Sequence, residues 1–192
     1  MNRNNYFIAV LSLLCIAQAG FSQVPAKKFD TTFYIGKPGY RVYCSNKNED
    51  KNEITIKPRG FETASSARDL AFYINGRVGK AEIEDVNNDG FPDLLVYVYN
   101  GIKGTVIGIA SKENKSCVPI FFPDILDDEK LRKGYKGYDE FYLVEGALMR
   151  RFPIYKAEDT DTPTGGKRVV QYQVIPYETG YKFKVLRSYE TK

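Results

Sequence analysis

The chain has 192 residues, 43% of them hydrophobic and 27% charged, enough for one domain with a real interior. Its 28 basic and 24 acidic residues give a net charge of +4, but the basic ones are scattered, which argues against a nucleic-acid-binding face. There is no histidine at all, which excludes Ser-His-Asp and Cys-His catalysis and His-ligated zinc.

The first segment reads as an export signal. Arg3 forms a short basic start, residues 6–17 form an apolar run too short to span a bilayer, and small residues follow. Cleavage after Ala19 fits the Ala-x-Ala rule, and cleavage after Ser22 is also compatible. Residues 1–22 are therefore expected to be a signal peptide and 23–192 a single exported domain, periplasmic or secreted. Leu14 before Cys15 does not suit a lipoprotein site, so no membrane attachment is expected after cleavage. Loss of Arg3 leaves 27 basic against 24 acidic residues, a net of +3.

Beyond the signal, the text is mostly strand-like. Residues 31–35 (TTFYI), 40–44 (YRVYC) and 53–57 (EITIK) are rich in β-branched and aromatic side chains, separated by Gly, Pro and Asn turn signals. Residues 69–75 (DLAFYIN) are ambiguous alone, whereas 80–86 (KAEIEDV) alternate cleanly. Residues 94–99 (LLVYVY) are a nearly continuous apolar run, the pattern of a strand buried on both faces. Strands follow at 105–110 and 116–122. The charged stretch 123–133 (PDILDDEKLRK) spaces Ile125, Leu126 and Leu131 as in one short helix. Strand patterns resume at 140–146, 148–155, 168–175 and 181–189. This succession predicts an all-β fold, an antiparallel β-sandwich or barrel of short strands with one short helix.

Four features bear on chemistry. Cys44 and Cys117 form an even pair in an exported chain, which suggests a disulfide over two buried free thiols. Asp85, Asn87, Asp89 and Asp93 place alternate oxygen ligands around Gly90, as a calcium loop requires. The twelfth position of an EF-hand would be Val96 and not Glu, so only a β-type calcium loop is compatible, and a plain Asp-Gly hairpin turn is preferred. The acidic residues Asp127, Asp128, Glu129, Asp139, Glu140 and Glu145 could supply a glycosidase pair, but nothing sets two of them across a cleft. Arg150 and Arg151 are consecutive in a strand, so they face opposite ways, and the inward one needs a carboxylate such as Asp139, Glu140 or Glu145. A structural ion pair is preferred over a ligand-binding arginine.

The stretch from Gly134 to Tyr172 has a specificity that periodicity does not explain. It contains Gly134, Tyr138-Asp139-Glu140-Phe141, Val144-Glu145-Gly146, Arg150-Arg151-Phe152-Pro153-Ile154-Tyr155, Pro163-Thr164-Gly165-Gly166 and Gln171-Tyr172. Together with GKAEIEDVNNDGFPDLLVYVY upstream, it resembles the periplasmic inhibitors of invertebrate-type lysozyme over roughly residues 29–189. The resemblance implies an exported β-sandwich, commonly a homodimer, with no enzymatic activity and no cofactor. It implies further that a loop after the long apolar strand is pushed into the lysozyme's substrate cleft. In that family the loop carries Ser-Gly-x-Tyr; here the corresponding text is Asn100-Gly101-Ile102-Lys103-Gly104-Thr105. The resemblance thus makes Asn100 a hydrogen-bonding group and Lys103 a cation for an acidic cleft. The competing expectation is a calcium-stabilised exported β-module that binds another protein or a glycan.

Overall fold

The structure is a computed structural model that describes residues 24–62 and 68–192; the expected signal peptide and Cys15 lie outside them. Twelve strands are present among the described residues: β1 Phe29–Tyr34, β2 Gly39–Cys44, β3 Asn52–Arg59, β4 Leu70–Ile74, β5 Arg77–Glu84, β6 Asp93–Asn100, β7 Lys103–Lys112, β8 Ser116–Phe121, β9 Glu140–Val144, β10 Ala147–Pro153, β11 Lys167–Tyr177 and β12 Gly180–Thr191. They form a four-stranded sheet, β1-β2-β3-β4, and an eight-stranded sheet, β5-β6-β7-β8-β12-β11-β10-β9. The all-β sandwich expected from the alternating segments is the observed fold. One joint departs from antiparallel order: β8 and β12 pair in parallel through Ile120↔Tyr181 and Phe121↔Lys182. Among the described residues, no helix is long and apolar enough to cross a membrane.

Strand β6 explains the architecture. Its alternate side chains enter two different cores. Leu94, Val96 and Val98 meet Tyr40, Val42, Ile54 and Ile56 of the smaller sheet. Leu95 and Tyr97 point the other way, toward Phe141, Leu148, Phe152, Tyr172 and Phe183. All of these are strand residues of the eight-stranded sheet, so that sheet encloses a core within its own curl. Tyr97 and Phe141 belong to strands six places apart in sheet order, yet their rings stack 5.6 Å apart with an interplanar angle of 3°. The result is a half-barrel with the small sheet packed on its outer wall.

The helix expected over residues 123–133 is only a single 3-10 turn, Ile125–Asp127. Asp124 accepts from the Leu126 N–H, and Asp128 accepts from the N–H groups of Lys130 and Leu131. These side chains compete with the backbone for its own donors, which disfavours a continuing helix. The nearly buried Arg168 guanidinium then takes the carbonyls of Lys130, Leu131 and Lys133 at 2.8–2.9 Å. Ile125 and Leu131 are buried in the half-barrel core, so the apolar spacing served as two anchors and not as a helix face.

Candidate functional site

The segment Asn100–Thr105 is the hairpin between β6 and β7. Asn100 pairs with Lys103, leaving Gly101 and Ile102 as a two-residue turn. Gly101 takes φ +57°, whereas Ile102 stays out of the left-handed region, as in turns with glycine at the first central position. The tip is exposed, including Ile102 at 37%. It is also held from three sides. Asn100 Nδ2 donates to Asn75 Oδ1 at 2.7 Å, the Tyr138 N–H donates to the Ile102 carbonyl at 2.5 Å, and the Gly104 N–H donates to Asp139 Oδ2 at 2.8 Å.

The segment that clamps the tip is itself under conformational demand. Tyr138 sits at φ +62°, an unusual place for a bulky side chain, directly after Gly137 at φ +111°. A Cβ on Gly137 would come within 2.9 Å of the Ile102 carbonyl, and one on Gly104 within 2.6 Å of the Phe141 ring. Both glycines are therefore required by close approach of hairpin and clamp. A cavity of about 400 Å³ lies beside this contact, between Gly79 and Lys80 of β5 and Glu140 and Phe141 of β9.

Asp139 and Arg150 anchor the clamp from inside. Their side chains are 0% and 3% exposed, with Arg150 Nε donating to Asp139 Oδ1 at 2.7 Å. Tyr135 closes the network: its hydroxyl donates to Asp139 Oδ2 at 2.6 Å and accepts from Arg150 Nη2 at 3.0 Å. Burial works against the guanidinium's charge, but the adjoining carboxylate more than offsets it and holds Arg150 protonated. Burial, reinforced by the Asp139 charge, drives the Tyr135 phenol well above its ordinary range. Burial also pushes Tyr99, beside the same network, up to about 12. Arg151 faces the other way and pairs with Glu140 at the outer surface. Sequence reasoning missed Tyr135 and gave Tyr138 only as part of the resemblance, with no role, since a tyrosine next to a glycine reads first as a turn.

The carboxylates of the Asp85–Asp93 segment are turned to other work. Asp85 accepts from the N–H groups of Asp89 and Gly90, and Asp89 from those of Phe91 and Glu113. Asp93 is fully buried and accepts from Val86, Asn87 and Ser111, tying the turn to the end of β7. Burial pushes its pKa up to about 7 despite those three N–H donors. Among the described residues, no group of three or more His, Cys, Asp or Glu is placed to hold a metal ion. The register pairs Glu84 with Asp93, so residues 85–92 form a connection longer than the tight Asp-Gly turn expected, closed by the oxygens of Asp85, Asn87, Asp89 and Asp93 on backbone N–H groups.

The expected Cys44–Cys117 disulfide is also corrected, since both cysteines are free. Cys44 lies against the backbone of Val78, whose β6 partner is Val98. Cys117 lies by Tyr40 and Asp93, at the other end of β6. Five residues of strand, roughly 17 Å, separate those ends, against a Cα separation of roughly 4–7 Å in disulfides.

Comparison with known proteins found no matching family model, no matching curated protein and no matching solved structure.

Proposed function

We propose that the protein is an exported inhibitor of an invertebrate-type lysozyme, without chemistry of its own, that acts by inserting the Asn100–Thr105 hairpin into the enzyme's cleft. The observation that carries this reading is the fixation of an exposed tip by Asn75, Tyr138 and Asp139. A plug that is already rigid loses little conformational entropy on binding, so a small contact can bind tightly. Lys103 stands at the base of the tip, exposed and without an ion pair among the described residues, and offers a cation to the carboxylates of a glycosidase cleft. Ile102 adds an apolar contact at the apex.

The test is an inhibition assay of the mature protein against invertebrate-type, chicken-type and goose-type lysozymes. Inhibition of the invertebrate type is expected, and Lys103→Ala should weaken it by at least about tenfold, equivalent to about 1.4 kcal/mol. An unchanged inhibition constant would remove Lys103 from the plug. Lack of inhibition in all three assays would remove the function.

A further inference from the structure

The ladder between β7 and β8 begins only at Gly108↔Ile120, so residues 103–107 of β7 run without a ladder neighbour on that side. After β8 the chain turns away into the Asp124-capped 3-10 turn. A window in the half-barrel wall results, and a cavity of about 550 Å³ straddles it, lined by Val98 and Thr105 of the small-sheet face as well as by interior residues. Lys103 and Thr105 form one side, Phe122 and Leu126 the other, and Tyr135 and Arg150 reach it from the interior.

The chemistry of this window is specific. A guanidinium carries five N–H donors. Bonds to Asp139 and Tyr135, with the contact to the Tyr172 hydroxyl, engage three of those on Arg150. The remaining donors belong to a side chain that is 3% exposed and borders the cavity. Lys103 adds an exposed ammonium with no ion pair among the described residues. Phe122 and Leu126 supply an apolar wall, and Leu126 is 43% exposed. A volume of a few hundred Å³, apolar walls and a few convergent polar groups describe a small-ligand site.

We propose that this window binds a small organic acid carrying one carboxylate and an apolar body. The carboxylate lies between Arg150 and Lys103, and the body lies against Phe122 and Leu126. One negative charge matches the one unpaired cation, whereas a dianion would meet Asp124 on the rim. The site does not rest on the inhibitor reading, because the ligand enters beside the hairpin tip and needs no enzyme.

The probes are 3-phenylpropionate and its uncharged amide, titrated against the mature protein by saturation-transfer NMR. The acid should bind at least about tenfold tighter than the amide. Thr105→Trp, at an exposed strand position on the window's edge, should abolish the acid's signal while circular dichroism and Tm stay unchanged. Lys103→Ala should weaken the acid severalfold and leave the amide unaffected, which keeps the site testable if the Trp variant folds poorly. Equal binding of acid and amide, or acid binding that survives Thr105→Trp in a folded protein, overturns the site. A peptide with a C-terminal phenylalanine that binds tighter than the free acid overturns the assignment to a small molecule.

Discussion

Asp139→Ala tests the interior network most directly. The carboxylate is fully buried, so its removal leaves the Arg150 charge inside the half-barrel without a counter-ion. Breaking a buried pair from one side costs about 3–5 kcal/mol. The Gly104 N–H and the Tyr135 O–H lose their acceptor at the same time. For a domain of this size about 1 kcal/mol moves Tm by about 2–4 °C, so a drop of roughly 6–20 °C is expected. Guanidinium denaturation measures the free energy, with a constant slope as the check that both variants unfold from the same compact state. The double variant Asp139→Ala/Arg150→Met should recover part of the loss. Arg150 lies 5.1–5.8 Å from the rings of Phe122, Tyr135, Phe141 and Phe152, an environment that suits a thioether. A cost of less than about 1 kcal/mol for Asp139→Ala would refute the reasoning, as would a double variant at least as unstable as the sum of the singles.

Asp93 should titrate with a midpoint of about 7 when its carboxyl carbon is followed by NMR. Its native pKa lies above the ordinary 3.8, so the native state holds a proton that the unfolded chain has released. Stability from this group is therefore full below about pH 4 and is lost as pH rises through about 7; a midpoint below 4 would contradict its burial. Both thiols should resist alkylation in the native protein at mildly basic pH, since burial raises Cys44 and pushes Cys117 up to about 11. Both should react after unfolding without reductant, and mass spectrometry that finds them linked would restore the disulfide. Chelator and added calcium should leave Tm unchanged, because the Asp85, Asp89 and Asp93 oxygens already accept backbone N–H groups; a calcium-dependent rise in Tm would return them to a metal site.

Strand content was legible in the sequence because side-chain alternation is a local property. The run at residues 94–99 even announced two cores, since a strand without a polar face must be covered twice. The local sequence of residues 123–133 does not fix the length of its helical turn, because three apolar residues in a charged stretch satisfy several geometries. Only the distant Arg168, 35–38 residues away, decides where those carbonyls go. The cysteine pair failed for a similar reason: parity and compartment say nothing about position along a strand. The inward Arg150 and its choice among three nearby carboxylates depended on register. Asp139 wins because the register pairs Arg151 with Glu140 and Arg150 with Phe141, so Glu140 shares the face of Arg151 and not that of Arg150.

The same register shapes the two edges of the eight-stranded sheet. Its two edges are β5 and β9, which frame the cavity beside the hairpin. Strand β5 places Lys80, Glu82 and Glu84 opposite Tyr97, Leu95 and Asp93, so its charged side chains share the face that leads into the barrel. A bulge between Val78 and Lys80 breaks its ladder. Strand β9 is five residues long and carries Glu140. Inward charges, a bulge and a short strand each make an edge a poor template for a further strand. Lys80 and Glu82 do not waste that charge, since they bond at 2.6 Å and Glu82 accepts from the buried Tyr97 hydroxyl. With both edges blunted in this way, the proposed interactions are assigned to the side chains around the hairpin, and Lys103 is the residue on which both can be tested.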